Sequence, residues 1–366
     1  MNRTSFSTLS IFAALLFGCT SEKKAPVQEK KPAPVAETKA DPAPQPASTD
    51  TTAGNPGCFG DPKGGDPREV TAGATMLKGN GYSLAAAAAP ERSGKLVIGI
   101  VSDLKDKHDG WEARLKAYSK WFGEQGVEAV VINGGDFYYP DHMETVLMGY
   151  ASTFKMPVYV ISGNKEAPEW FQEAASKVSA KHANLINGNR VRTLTMNDVS
   201  LVSLPGYGRK MYTDPGACLF DDDQIATTTE LLKAAPGSAK VLVSHQSPLQ
   251  DGVLAVDFMG QPSLDEKDKK NVGDPRVTAM LKGTGTQLAI VGGIKEAGGR
   301  GTDLAGKAVE VDQMSPQLLI NPGPADTSHW TMNDGSSSWG MVAVMRIDGG
   351  KASYGVLRMP EHQPAK

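Results

Sequence analysis

Five short clusters of polar side chains combine carboxylate, carboxamide, imidazole and ammonium groups. They read SDLKDKHDG, NGGDFYY, SGNKE, SHQSP and GGIKE. Carboxylates, amides and imidazoles hold metal ions, whereas ammonium groups bind anions and repel cations. The last cluster lies in AIVGGIKEAGGRG, residues 289–301, which has the form of a closing metal-binding turn but carries Lys295. The clusters therefore indicate a ligand site with an unusual charge pattern.

Each cluster follows a segment that is predicted to be a buried strand. KLVIGIVSD, EAVVING and PVYVISGN are short apolar runs, and each is followed by an amphipathic helical pattern, which predicts a covered parallel sheet. Hairpins are predicted at Asn197–Asp198 and at Asp348–Gly350, so a mixed α/β domain with two sheets fits better than one doubly wound sheet. Ligands bind at the carboxyl ends of such strands. We therefore expect the five clusters to line one site.

With these motifs the sequence resembles the calcineurin-like metallophosphoesterases. Their signature is Asp-x-His, Gly-Asp, Gly-Asn-His-Asp/Glu, a lone His, and Gly-His-x-His, each at a strand end. VSHQSP and LLINPGPA are similar to further elements of the family. The resemblance implies a four-layer α/β/β/α sandwich, in which two mixed β-sheets are flanked by helices. It also implies a phosphoesterase site with two divalent metal ions.

Some family positions keep their residue type. By the resemblance, Asp103 is the first aspartate ligand, Asp136 bridges both metals, and Asn164 and His245 are further ligands. Glu166 also follows Asn164 as in the family pattern. These four ligand positions are the metal-site candidates.

Other family positions are replaced. Lys105, Gly293 and Lys295 stand at former ligand positions, and Lys165 stands where the family has the histidine that protonates the leaving group. A protonated lysine has no lone pair for a metal. Fixed ammonium charge does, however, compensate buried carboxylates. We therefore expect a pseudoenzyme, a scaffold or binding module whose site needs no metal and no other cofactor.

Two further hypotheses stay open. Lys105, Lys165 and Lys295 are candidates for a pocket that binds phosphate or another small anion. Alternatively, a residual phosphoesterase would use one divalent ion (Mn, Fe or Zn) at Asp136, Asn164 and His245. A lysine of ordinary pKa is a poor proton donor, which weighs against that enzyme.

The N-terminus predicts export and lipid anchoring. Residues 1–18 combine an early cation with a short apolar segment, and LFGC resembles a bacterial lipobox with Cys19 as the lipidated residue. Residues 19–57 are rich in Pro, Ala and Lys and predict a disordered tether. We expect a cell-envelope protein held in the membrane by its lipid, more in keeping with the outer membrane.

The remaining chain divides into an N-terminal extension of open role, residues 58–94, a metallophosphoesterase-like domain, residues 95–358, and a tail, residues 359–366. Cys58 and Cys218 either pair in a disulfide or stay as buried thiols. A net charge of -3 gives no indication of nucleic acid binding. A protein partner is compatible with the scaffold hypothesis.

Overall fold

The computed structural model describes residues 56–62, 64–105, 107–108 and 110–361. The predictions for the signal segment, for lipidation of Cys19 and for nearly all of the tether lie outside the described residues. No helix in the described ranges is long and apolar enough to cross a membrane.

Strands make up most of the regular structure. In chain order they are β1 (Arg68–Ala72), β2 (Thr75–Gly79), β3 (Ser83–Ala85), β4 (Lys95–Lys105), β5 (Ala129–Asp136), β6 (Val158–Ile161), β7 (Leu185–Asn187), β8 (Thr193–Met196), β9 (Val199–Leu204), β10 (Ala239–Ser244), β11 (Phe258–Met259), β12 (Lys270–Asn271), β13 (Leu288–Ile290), β14 (Arg300–Thr302), β15 (Ala308–Val309), β16 (Leu318–Asn321), β17 (Trp330–Thr331), β18 (Ser337–Ser338), β19 (Met341–Asp348) and β20 (Lys351–Arg358). The helices are α1 (Pro56–Phe59), α2 (Trp111–Glu124), α3 (Pro140–Thr153), α4 (Pro168–Lys181), α5 (Asp222–Ala234) and α6 (Pro275–Thr284).

Two large mixed sheets form the centre of the fold. The six-stranded sheet has the order β20-β19-β4-β5-β6-β7, with β4 to β7 parallel. The ten-stranded sheet has the order β1-β2-β3-β8-β9-β10-β13-β16-β14-β15. Two short ribbons, β11-β12 and β17-β18, lie outside them. The parallel β4 to β7 arrangement confirms the predicted strand and helix alternation.

Apolar side chains fill three layers. Ile98 and Val131 of the six-stranded sheet share one buried cluster with Val241 and Ile290 of the ten-stranded sheet. A second cluster joins the other face of the six-stranded sheet to α2, α3 and α4, and a third joins the ten-stranded sheet to α5 and α6. Burying each such side chain stabilises the fold by about 1.5–3 kcal/mol. The predicted four-layer α/β/β/α sandwich is therefore confirmed.

Both predicted hairpins form. Asn197 and Asp198 connect β8 to β9 with φ angles of 48° and 62°, and Gly349 and Gly350 connect β19 to β20 with φ angles of 57° and 78°. Two successive residues at positive φ match the twist of a two-residue hairpin. Helix α3 begins at Pro140, whose fixed φ suits the first turn of a helix.

The extension at residues 58–94, whose role the sequence left open, contributes to the larger sheet. Strands β1, β2 and β3 form an antiparallel meander, and β3 pairs in parallel with β8. Leu77 and Leu84 from these strands are fully buried between the sheets. The extension is therefore an integral part of the sandwich.

The start of the described chain is fastened to the domain at two points. Cys58 and Cys218 form a disulfide, which selects one of the two alternatives for these cysteines. The fully buried Arg192 donates a hydrogen bond of 3.3 Å from Nη1 to the Phe59 carbonyl oxygen, and its guanidinium lies 5.9 Å from the centre of the Phe59 ring. Residues 58 and 59 are thus held against the ten-stranded sheet.

Candidate functional site

The residues singled out by sequence lie at or just after the carboxyl ends of strands. Asp103 lies two residues before the end of β4, and Asp136 is the last residue of β5. The pairing of these two strands places Lys105 opposite Asp136. Asn164 follows β6, and His245 follows β10 directly. Lys295 begins a single 3₁₀ turn after β13. Within each sheet the parallel strands end at one edge. The two edges meet through the contacts of His245 with Asp103 and of Lys295 with Asp136, so the clusters lie together.

A left-handed kink at the end of β4 orients the Asp103 carboxylate. Asp103 has a φ of 54°, and Gly134 on the neighbouring strand has a φ of 72°. For a residue with a Cβ this conformation costs on the order of 1 kcal/mol. A Cβ at Gly134 would lie 2.3 Å from Nδ1 of His245. Gly134 therefore gives the His245 ring its place beside Asp103.

His245 is fully buried, and one ring nitrogen is committed to the backbone. Nδ1 lies 2.8 Å from the Asn133 carbonyl oxygen, which only accepts, so Nδ1 carries the proton. Nε2 has no hydrogen-bond partner among the described residues and lies 3.7 Å from Oδ1 of Asp103. The other Asp103 oxygen accepts a 2.9 Å hydrogen bond from the Ser102 hydroxyl. His245 and Asp103 therefore place a ring nitrogen and a carboxylate oxygen, both atoms of the metal-ligand type, side by side.

Lys295 directly contacts Asp136. Its Nζ donates to Oδ2 of that carboxylate, and the two side chains are only 12% and 7% exposed. The Trp330 ring covers the ammonium from a centroid distance of 4.8 Å. Burial lowers the pKa of Lys295, and the nearby Asp103 carboxylate opposes that effect. By the resemblance, the Asp136 carboxylate would bridge two metal ions. In this structure the Lys295 side chain contacts it instead.

Lys105 has a different carboxylate partner, which the sequence did not single out. Its Nζ lies 3.8 Å from Oδ2 of Asp326 and 3.4 Å from the Ser328 hydroxyl. The same Trp330 ring that covers Lys295 lies 5.7 Å from the Lys105 nitrogen. Segment 326–330 therefore folds over both lysines and supplies an acid and an aromatic ring.

Lys165, at the family's general-acid position, is also paired. It donates a 2.7 Å hydrogen bond to Oδ1 of Asp214. Burial lowers the pKa of Lys165, but the hydrogen bond to Asp214 and the negative charges of nearby acidic groups together outweigh it, so the net pKa is raised. The Asn164 amide donates a 2.5 Å hydrogen bond to the Tyr212 carbonyl oxygen. The segment 212–214 thus binds both Asn164 and Lys165 by hydrogen bonds.

Glu166 has a structural role at the base of this turn. Its carboxyl accepts hydrogen bonds from the backbone nitrogens of Gly163, at 2.6 Å, and Phe137, at 3.4 Å. Complete burial raises its pKa to about 7, against the opposing effect of these backbone donors. Glu166 therefore ties the turn after β6 to the end of β5.

Packing closes the remaining former ligand position. Gly293 has a φ of 75°, and a Cβ there would lie 2.9 Å from Cε2 of Tyr207 and 3.0 Å from the His245 carbonyl oxygen. Tyr207 is 1% exposed, and its ring centroid is 5.9 Å from that of His245. A histidine at 293 would need both an unfavourable backbone conformation and displacement of a buried ring.

The residues present do not fit the two-metal centre that the resemblance implies. Lys295 occupies Asp136, Asn164 donates to the backbone, and Tyr207 blocks position 293. Within the described part of the chain, no group of three or more His, Cys, Asp or Glu side chains could hold a metal ion.

The contacts of the three lysines do not form one anion-binding pocket, because each lysine pairs with a different aspartate. The partners that sequence reasoning missed are Asp326, Asp214, Tyr207 and Trp330. Asp326 lies just beyond the quoted NPGPA turn, which is the one sequence signal that could have pointed to it.

Comparisons with known proteins gave structural similarity only. No protein-family model and no curated protein matches the chain. A dimetal phosphatase from Danio rerio is 11% identical, with a TM-score of 0.42 over 73% of this chain and 99% of that one. An archaeal phosphodiesterase is 11% identical, with a TM-score of 0.31 over 72% and 100%. The GAP50 anchor in the inner membrane complex of Plasmodium is 12% identical, with a TM-score of 0.41 over 69% and 81%.

Proposed function

We propose that this protein is a cell-envelope lipoprotein whose metallophosphoesterase-like domain is a pseudoenzyme and acts as a scaffold or binding module. The observation that carries this proposal is the contact of the Lys295 ammonium with the Asp136 carboxylate. An ammonium there stabilises the acid that a bridging metal would otherwise need to neutralise. Tyr207 beside Gly293 supports the same conclusion independently.

The charges of the site balance one another without a metal ion or an external anion. Lys295 lies on Asp136, Lys105 faces Asp326, and Lys165 bonds to Asp214. A lysine that already has a carboxylate partner gains less from an external anion, because the anion must compete with that partner. Phosphate binding by the three lysines is therefore a weaker proposal than the scaffold role. It is tested by the thermal shift of the wild-type protein on adding phosphate.

A residual phosphoesterase is the competing candidate, and one observation favours it. The Nε2 atom of His245 has no hydrogen-bond partner within the described residues and faces Asp103 at 3.7 Å, so one ligand-type nitrogen remains available. The other two positions of the one-ion hypothesis, Asp136 and Asn164, are engaged by Lys295 and by Tyr212. This leaves too few free ligands for an ion with an open substrate position.

Metal content and hydrolysis decide between these candidates. The purified protein is dialysed with and without Mn²⁺, its metal content is measured, and hydrolysis of a generic phosphodiester is followed. The pseudoenzyme proposal expects no stoichiometric metal and no metal-dependent turnover. Bound metal together with turnover that is lost in His245→Ala would establish the hydrolase. A His182→Ala variant, which removes an imidazole at the C-terminal end of α4, is the matched control.

Anchoring is tested separately. We expect the full chain to partition into detergent with the membrane fraction and Cys19→Ser to be released as soluble protein. Retention of Cys19→Ser in the membrane would overturn the lipoprotein part of the proposal and leave the pseudoenzyme part untouched.

A further inference from the structure

A second cavity lies at the end of the sandwich opposite the candidate site. Its lining includes Glu128, which directly precedes β5, and Met156, which lies two residues before β6. The candidate site lies at the other ends of these strands, about 26 Å away along the eight residues of β5. The cavity has a volume of about 560 Å³, which falls in the range of about 300–1,000 Å³ for small-molecule sites.

The N-terminal extension builds one wall of this cavity. The wall consists of Ala72, Ala74, Thr75 and Met76 from the β1-β2 hairpin and of Ala86 and Ala87 after β3. The hairpin turn packs directly on the domain, because Gly73 has a φ of 63° and a Cβ there would lie 1.7 Å from the Lys155 carbonyl oxygen. Only glycine fits this conformation at so close an approach. The turn therefore fixes the wall against the segment that leads into β6.

The lining of the cavity is mainly aliphatic. It combines four alanines with the three methionines Met76, Met156 and Met196. None of the described residues that line the cavity is aromatic, so the wall offers no stacking surface for a base or a sugar ring. Methionine side chains adapt to irregular apolar shapes. Met76 is 52% exposed, which leaves an apolar side chain in water where a bound chain would cover it.

The two charged residues of the lining differ in their partners. Glu128 is neutralised within the wall, since it accepts hydrogen bonds from the Arg92 guanidinium and, at 3.1 Å, from the Asn197 amide. Lys155 donates a 2.9 Å hydrogen bond from Nζ to the Ser152 carbonyl oxygen, and no acidic side chain of the described residues pairs with it. The Lys155 ammonium therefore gives an aliphatic cavity one uncompensated positive charge.

We propose that this cavity binds an aliphatic chain that ends in an anionic group, as in a fatty acid. The chain lies against the alanines and methionines, where each methylene group withdrawn from water adds to the affinity. The carboxylate accepts a charge-assisted hydrogen bond from Lys155. This binding site goes beyond the proposed function and shares no residue with the candidate site. Its failure would leave the pseudoenzyme proposal standing.

Calorimetric titration tests the ligand class. The full chain with Cys19→Ser, which carries no lipid of its own, is titrated with dodecanoate and with dodecylammonium, the same chain with the opposite charge. We expect one dodecanoate per chain and weaker binding of dodecylammonium. Lys155→Ala should weaken dodecanoate about fivefold, as expected for an exposed ion pair, and should remove the preference for the anion. A short-chain phosphatidylglycerol is titrated in parallel, and tighter binding of this lipid than of dodecanoate would support the site and assign its chain to a membrane lipid.

Filling the cavity tests its location. Ala74 and Ala87 are exposed alanines of the lining, so Ala74→Trp and Ala87→Trp each place a bulky ring in the cavity without disturbing the core. Both variants should lose dodecanoate binding. Ala85→Trp, at an exposed position of β3 outside the lining, is the matched control and should keep it. Urea unfolding shows that each variant is folded. Absence of saturable binding, equal binding of dodecylammonium, or binding that persists in both cavity variants would overturn the proposal.

Discussion

The Tyr207 ring fills the space into which a side chain at Gly293 would project. A Cβ at that glycine would be 2.9 Å from the ring, and its backbone φ is 75°. The packing of a buried aromatic residue therefore excludes a histidine at the position where the family resemblance implies a metal ligand. Reversing the polar substitutions alone would not rebuild the site.

Restoring histidines should consequently depend on Tyr207. We expect the combined variant Lys105→His, Lys165→His, Gly293→His and Lys295→His to bind little Mn²⁺, because Tyr207 still blocks position 293. Adding Tyr207→Ala should raise the metal content toward stoichiometry, as measured after dialysis. The control is the variant in which Lys105, Lys165 and Lys295 are replaced by histidine and Gly293 is kept. Full metal occupancy of the four-histidine variant with Tyr207 in place would contradict this account.

Truncating Lys295 should destabilise the protein more than truncating Lys105. Lys295→Ala leaves the buried Asp136 carboxylate without its partner, which costs about 3–5 kcal/mol. Lys105 is 21% exposed and lies 3.8 Å from Asp326, so Lys105→Ala should cost about 1 kcal/mol. Urea unfolding of both variants measures the difference. Equal losses would show that the contact with Asp136 has no special weight.

Glu166 should make stability fall as pH rises from weakly acid to neutral. Its pKa is about 7 in the folded protein against an ordinary value of 4.5, so between these pH values the folded chain holds a proton that the unfolded chain has released. The contribution is fully present below pH 4.5, is lost as pH rises through 7, and amounts to about 3 kcal/mol. The free energy of unfolding, measured against pH, should lose this component in Glu166→Gln. An unchanged profile in that variant would assign the slope to other groups.

Removing the disulfide should lower the free energy of unfolding, because the unfolded chain gains conformational freedom. Cys58 and Cys218 are separated by 160 positions, and opening a loop of that length costs about 5 kcal/mol. The double variant Cys58→Ala and Cys218→Ala should therefore unfold at lower urea concentration than the oxidised wild type and close to the reduced wild type. Arg192 still holds Phe59 in all three proteins, so the comparison isolates the bond. Coincidence of all three transitions would contradict it.

Much of the fold follows from local pattern. The apolar runs of β4, β5 and β6 followed by helices predict the parallel sheet, and the turns at Asn197 and Gly349 predict the hairpins. These features depend on residues that are close in sequence. The clusters that follow β4, β5 and β6 could be placed together for the same reason, since parallel strands of one sheet share an edge, whereas the clusters after β10 and β13 belong to the other sheet.

The pairing within the site could not be predicted in this way. Asp214 and Asp326 lie in loops far along the chain from Lys165 and Lys105, and only the packed sheets bring them close. The sequence suggested that lysines neutralise the retained aspartates. That description fits Lys295, which contacts Asp136, while the other two lysines have acids of their own.

The pairing of β1 to β3 with the larger sheet also could not be predicted, because the sequence of three short strands does not indicate which strand they pair with. Their pairing with β8 has a practical consequence for where the domain can be cut. A chain starting at Lys95, the boundary that the sequence suggests, would leave the β8 backbone unpaired along one side and uncover the apolar surface under Leu77 and Leu84. Exposed strand edges of this kind recruit other chains. Such a fragment should aggregate through this edge, whereas one that starts before Cys58 keeps the edge of β8 paired.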